Sequence, residues 1–93
     1  MERITEKMLQ MRIDRLNTIT ENPLTPYSKG EDGKHRANVG NYRLDIAYGG
    51  YALEQMCNDG GGVNSVLSRG TKRELFDKLC ALIRGIEIGR GQQ

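Results

Sequence analysis

The stretch YRLDIAYGGYALEQMC, residues 42–57, decides the fold. Tyr42, Leu44, Ile46 and Tyr48 alternate with Arg43, Asp45 and Ala47; beyond Gly49-Gly50, Tyr51, Leu53, Gln55 and Cys57 alternate with Ala52, Glu54 and Met56. Alternation of period two marks a strand with one buried face, and two such runs joined by residues that accept positive φ mark a β-hairpin. A Gly49-Gly50 loop puts Tyr48 opposite Tyr51, Ile46 opposite Leu53, Leu44 opposite Gln55 and Tyr42 opposite Cys57, gathering the large apolar groups on one face. The other face then pairs Asp45 with Glu54 and Arg43 with Met56. Two facing carboxylates call for a cation nearby, such as Arg43 or a residue from elsewhere in the chain.

Downstream, Asn58-Asp59-Gly60-Gly61-Gly62 leads into Val63 to Ser68, short and partly β-branched, which suits a third strand over 63–68. Thr71 and Glu74 have the capping-box spacing, and Leu75, Leu79, Leu82 and Ile86, flanked by Phe76 and Ile83, form an apolar stripe; the reading is a helix over 71–86. Glu74 and Lys78 are an i,i+4 pair on its outside. Gly85 weakens its last turn, and a flexible tail covers 89–93.

Upstream, Ile4, Met8 and Met11, then Leu9, Ile13 and Leu16, recur at helical steps and predict a helix over about 3–17. Thr18, Ile19 and Thr20 weaken it, and Pro23 turns Asn22 away from helical geometry. From 18 to 41 the sequence has two prolines, Gly30, Gly33, Gly40 and the charged cluster Lys29, Glu31, Asp32, Lys34, His35 and Arg36, with no sustained period. A connection this long is expected to be functional, partly mobile, or to hold a short strand near Arg36 to Val39. The whole predicts one α+β domain over 1–93, with an antiparallel hairpin or three-stranded sheet packed against an N-terminal and a C-terminal helix.

At 93 residues, with 37% hydrophobic residues, no Trp and a single Phe, the core is thin, and a homo-oligomer is an expected source of further burial. The net charge of +2 is spread along the chain without a run of like charges, which argues against wholesale nucleic-acid wrapping. No segment reaches the roughly 18 apolar residues of a membrane span, and Met1 to Leu16 lacks the apolar core of a signal peptide. A cytoplasmic protein without membrane partners is expected. Cys57 and Cys80 have neither CxxC spacing nor a neighbouring His; they read as small buried apolar residues, with no metal site implied.

Functional ingredients converge in one place. Gly60, Gly61 and Gly62 leave backbone N–H groups accessible, the helix start at Thr71 offers unpaired donors, and Arg69, Lys72 and Arg73 add cations, so a phosphate or carboxylate would be stabilised there. Cations at a helix N-terminus oppose the macrodipole, a mismatch that favours a bound anion. The competing reading is a plain flexible turn followed by solvated first-turn residues, since neither GxxxxGK[ST] nor a strand–GxGxxG–helix unit is present. Tyr42, Tyr48 and Tyr51 either fill the core, stack on a ligand base, or dock a partner chain. His35 lacks a positioned partner for base catalysis, Asp59 lacks the alternating oxygen ligands of a calcium loop, and an Asp45–Glu54 dyad is better explained as an exposed sheet face. No cofactor motif and no catalytic cluster is assembled.

The strings Gly40-Asn41-Tyr42, Ala47-Tyr48-Gly49-Gly50, Asn58-Asp59-Gly60-Gly61-Gly62-Val63 and Lys72-Arg73-Glu74-Leu75 resemble small uncharacterised proteins encoded by bacteriophages and other mobile elements. The resemblance implies a non-enzymatic accessory role, the inhibition of a host defence system. Two mechanisms follow: sequestering a nucleotide signal through Gly60, Gly61, Gly62, Arg69, Thr71, Lys72 and Arg73 with Tyr48 stacking the base, or covering a defence protein as anti-CRISPR proteins do. A modest nucleic-acid-binding module using the same cations is a third expectation.

Overall fold

The computed structural model describes residues 3–91. Its elements are α1 (Glu6–Ile19), β1 (Tyr27–Lys29), β2 (His35–Ala37), β3 (Tyr42–Ala47), β4 (Gly50–Met56), β5 (Val63–Gly70) and α2 (Lys72–Gly89). The architecture is α+β: a three-stranded antiparallel sheet in the order β3-β4-β5 is packed against both helices, and β1 and β2 form a separate two-stranded sheet.

The core forms where the apolar stripes meet. Leu9, Ile13, Leu16 and Ile19 of α1, Ile4 ahead of it, and Leu75, Leu79 and Ile83 of α2 close on Leu53 of β4, with Tyr42, Leu44, Tyr51 and Leu67 partly buried around them. The α2 stripe therefore centres on Leu75, Leu79 and Ile83, with Leu82 and Ile86 at its margin. Helix α1 starts later than expected, because Thr5 caps it by accepting from the Met8 N–H at 3.2 Å. It also ends later: the Thr18 hydroxyl donates to the Asp14 carbonyl at 2.8 Å, which lets a β-branched residue sit in the last turn, and Ile19 is buried. Met11, counted within the stripe, is 61% exposed.

The β3–β4 register differs from expectation by one loop residue. The two-residue turn is Tyr48-Gly49, with φ of 52° and 73°, so Ala47 faces Gly50, Ile46 faces Tyr51, Leu44 faces Leu53 and Tyr42 faces Gln55. Moving the loop by one residue shifts each pairing by two, which leaves every side chain on its original face. The polar face gains from the shift. Arg43 now lies opposite Glu54 and reaches both Glu54 (3.7 Å) and Asp45 (3.5 Å), while Asp45 faces Ala52.

Asn17 is fully buried and acts as a surrogate strand for β3. Its Oδ1 accepts from the Tyr42 N–H at 2.8 Å and its Nδ2 donates to the Tyr42 carbonyl at 3.0 Å, so both outward backbone groups of Tyr42 are satisfied.

The expected connection at 18–41 contains β1 and β2, paired with Tyr27 opposite Ala37. Their turn is closed by the Gly30 N–H donating to the Lys34 carbonyl at 2.8 Å and by Asp32, which accepts from the Lys34 N–H and pairs with Arg36 at 2.7 Å. Asn38 fastens the open end, donating to the Thr25 carbonyl (2.9 Å) and exchanging hydrogen bonds with Ser28. At the far end of the chain, Gly89 is helical and Arg90 donates to the Ile19 carbonyl, tying the end of α2 to that of α1; residues 92–93 of the expected tail lie outside the described residues. Cys57 is exposed, just beyond β4, and Cys80 is half-buried, so neither is the buried apolar residue expected. Among the described residues, no helix is long and apolar enough to cross a membrane, and no cluster of His, Cys, Asp and Glu is placed to hold a metal.

Candidate functional site

The sequence places its candidate anion ligands on either side of a short strand, but β5 runs eight residues, Val63–Gly70. At roughly 3.3 Å per residue the strand holds Gly62 and Thr71 about 20 Å or more apart. Gly60, Gly61 and Gly62 form the β4–β5 turn at one end of the sheet. Tyr48, Arg69, Thr71, Lys72 and Arg73 gather at the other end, around the β3–β4 turn.

Each half of the expected site answers its own donors. In the glycine turn, Asn58 Oδ1 accepts from the Gly60 N–H at 3.0 Å and from the Gly62 N–H at 2.9 Å, filling the cradle where an anion would sit. The turn has a structural task instead. The Asp59 carbonyl accepts from the Ala37 N–H at 3.1 Å, and a side chain at Gly61, whose φ is +96°, would meet the Tyr27 hydroxyl; the glycines form the joint that fastens β1 and β2 to the main sheet. An Asn two residues before a Gly is an Asx-turn signature that was available in the sequence.

At the start of α2 the capping box is complete. The Glu74 N–H donates to Thr71 Oγ1 at 3.1 Å, and the Thr71 N–H donates to Glu74 Oε1 at 2.9 Å. These bonds, the Thr71 backbone N–H first, hold the Glu74 carboxyl below its ordinary value, with Lys78 adding a smaller attraction. The Lys78 ammonium itself donates to the Ser68 hydroxyl at 3.2 Å. A carboxylate thus already occupies the helix terminus, which resolves the apparent mismatch of cations at that end.

Arg69 is also committed. It crosses the turn above Gly50, where an added Cβ would lie 2.6 Å from its Cγ, pairs with the Asp45 carboxylate and donates to the carbonyls of Gly50 (3.1 Å), Ala47 (3.3 Å) and Asp45 (3.4 Å). Lys72 stands 5.6 Å from the centre of the Tyr51 ring, whose hydroxyl donates to Glu6 at 3.3 Å, so Tyr51 links the starts of both helices to the sheet.

Tyr48 remains, and it is 100% exposed. Its left-handed backbone is a conformation that Asn, Asp and Gly adopt more readily than an aromatic residue. Ile46, two residues before it on the helix-facing side of β3, is 49% exposed because it lies where the helices begin. The hairpin tip therefore presents a phenol and an aliphatic side chain to solvent, braced from below by Arg69. No protein family, curated protein or solved structure matches the chain.

Proposed function

We infer that this chain is a non-enzymatic binding protein that covers the surface of a partner protein, with the β3–β4 tip as its anchor. The observation that carries the reading is Tyr48: a wholly exposed aromatic residue at a left-handed turn position is costly to the free chain and gains burial only in a complex. Tyrosine suits such an anchor, with a large apolar face, a hydroxyl and few rotatable bonds. Arg69 fixes the turn from beneath, so little ordering remains to be done on binding.

The overall shape supports the same reading. The chain exposes 6045 Å², against about 5,400 Å² for a compact monomer of its 10.4 kDa, and its radius of gyration is 14.0 Å against about 12 Å. Surface in excess suits a protein completed by a partner, whether a host protein or a second copy. In the setting implied by the likeness to phage-encoded proteins, the partner is a defence protein of the host cytoplasm, and inhibition is by occlusion. Nucleotide sequestration is the less favoured reading, because its ligands stand at opposite ends of β5 and Asn58 and Glu74 already accept from the Gly60, Gly62 and Thr71 N–H groups.

Photo-crosslinking tests the proposal. With a benzophenone amino acid at position 48 and, as control, at the exposed Glu31, expression in the host should give one dominant adduct from position 48 alone. An adduct at twice the chain mass identifies a second copy; equal, diffuse labelling from both positions overturns the anchor.

A further inference from the structure

A second surface lies away from the tip, on the outer side of the helix layer. Met8 and Met11, three residues apart, are each followed four residues on by an arginine, Arg12 and Arg15, so the four share one face of α1, a stripe beside the one that faces the core. With Phe76 of α2 they line an open groove of about 400 Å³. Its floor is apolar and deformable, since methionine side chains repack around different shapes.

Its charge is one-sided. Both ionisable residues lining it are arginines. Arg12 lies over the Phe76 ring at 5.9 Å and makes no hydrogen bond or ion pair to the other described residues, so its donors are held in place yet unspent. Arg15 touches Glu87 at 3.8 Å, a long, solvated contact that a closer carboxylate displaces readily.

We propose that this groove docks an acidic amphipathic helix of a partner protein, its apolar side chains seated on Met8, Met11 and Phe76 and its carboxylates on Arg12 and Arg15. Charge selects this occupant over a second copy. A two-fold pairing through the groove sets the Arg12 and Arg15 patch against its own copy, and among the described residues that line the groove none is acidic, Glu87 reaching Arg15 only at 3.8 Å. The groove is too open to enclose a small ligand, whereas one helix laid along it buries both stripes.

The probe is a fluorescein-labelled synthetic helix with leucines on one face and glutamates flanking them, compared with the same peptide carrying lysines in place of the glutamates. Fluorescence anisotropy with the full chain should show saturable binding of the glutamate peptide alone. Met11→Glu and Arg12→Glu should each weaken it on the order of tenfold. Both positions are exposed, and circular dichroism establishes that the variants keep the fold. Arg12→Glu/Arg15→Glu should reverse the preference and take the lysine peptide. Equal affinity for both peptides, no saturable binding, or indifference to Met11→Glu overturns the proposal, as does a native dimer that Met11→Glu converts to monomer.

Discussion

The two hairpins of this chain are held by different forces. In β3–β4 one face carries Tyr42, Leu44, Tyr51 and Leu53 against the helices, and burial of Leu53 fixes the register. In β1–β2 the strands have three residues each, Ala37 is the sole buried member, and the pairing depends on Asn38, Ser28 and the Asp32–Arg36 pair. A two-stranded ribbon without an apolar face is marginal in water. Cohesion by burial makes a region part of the cooperative fold, whereas cohesion by exposed polar side chains leaves it to open on its own.

The sharpest break of this contrast is Leu53→Ala, which removes the side chain at the centre of the core and should cost about 2–5 kcal/mol, read as a lower urea midpoint. An unchanged midpoint would show that burial at Leu53 does not hold the sheet. Next is Asn17→Ala, which strands the Tyr42 N–H and C=O in a buried place and should cost about 1–3 kcal/mol. Tyr48→Asn goes the other way: asparagine accepts the left-handed position, so the melting temperature should rise by on the order of a few degrees while crosslinking to the partner is lost. A fall in melting temperature would remove the idea that the tip carries strain.

Smaller effects separate the regions further. Glu74 and Asp32 are both held below the ordinary carboxyl range, Glu74 by Thr71 and Asp32 first by Arg36 and then by the Lys34 N–H. A depressed folded-state pKa stabilises above the unfolded value and loses that contribution as pH falls through the folded one. The gap in melting temperature between native protein and Glu74→Gln should therefore be fullest near neutrality and close in acid, whereas Asp32→Asn should leave melting unchanged and speed amide exchange only between residues 27 and 37. Asn38→Ala is the mildest case, with faster exchange in β1 and β2 and a global shift below about 0.5 kcal/mol; a cooperative loss of the whole fold would erase the distinction.

What the sequence made visible follows the same division. The alternation of residues 42–57, the capping box at Thr71 and the stripes of both helices were legible because apolar period records burial. The Gly49-Gly50 pair points to a turn one residue too late because Gly50 does not need a positive φ; its lack of a side chain serves the close passage of Arg69. β1 was hidden, and β2 (His35–Ala37) showed only as the alternative of a short strand near Arg36 to Val39, because their polar residues carry no period. The candidate site residues were visible one by one, but their convergence depended on the length of β5, and a neutral run such as Val63 to Ser68 does not record where a strand stops. Met11 shares the helical period of the α1 core residues yet is exposed, since sequence period shows that a face is apolar and not what covers it.

The amide of Asn17 also bears on how copies of this chain can assemble. To lay β3 of one molecule along β5 of the next, Tyr42 would first have to give up its surrogate partner. Open-ended head-to-tail growth is thereby obstructed at one margin of the sheet, while the β5 margin stays available for a single closed pairing that leaves no site for a third molecule.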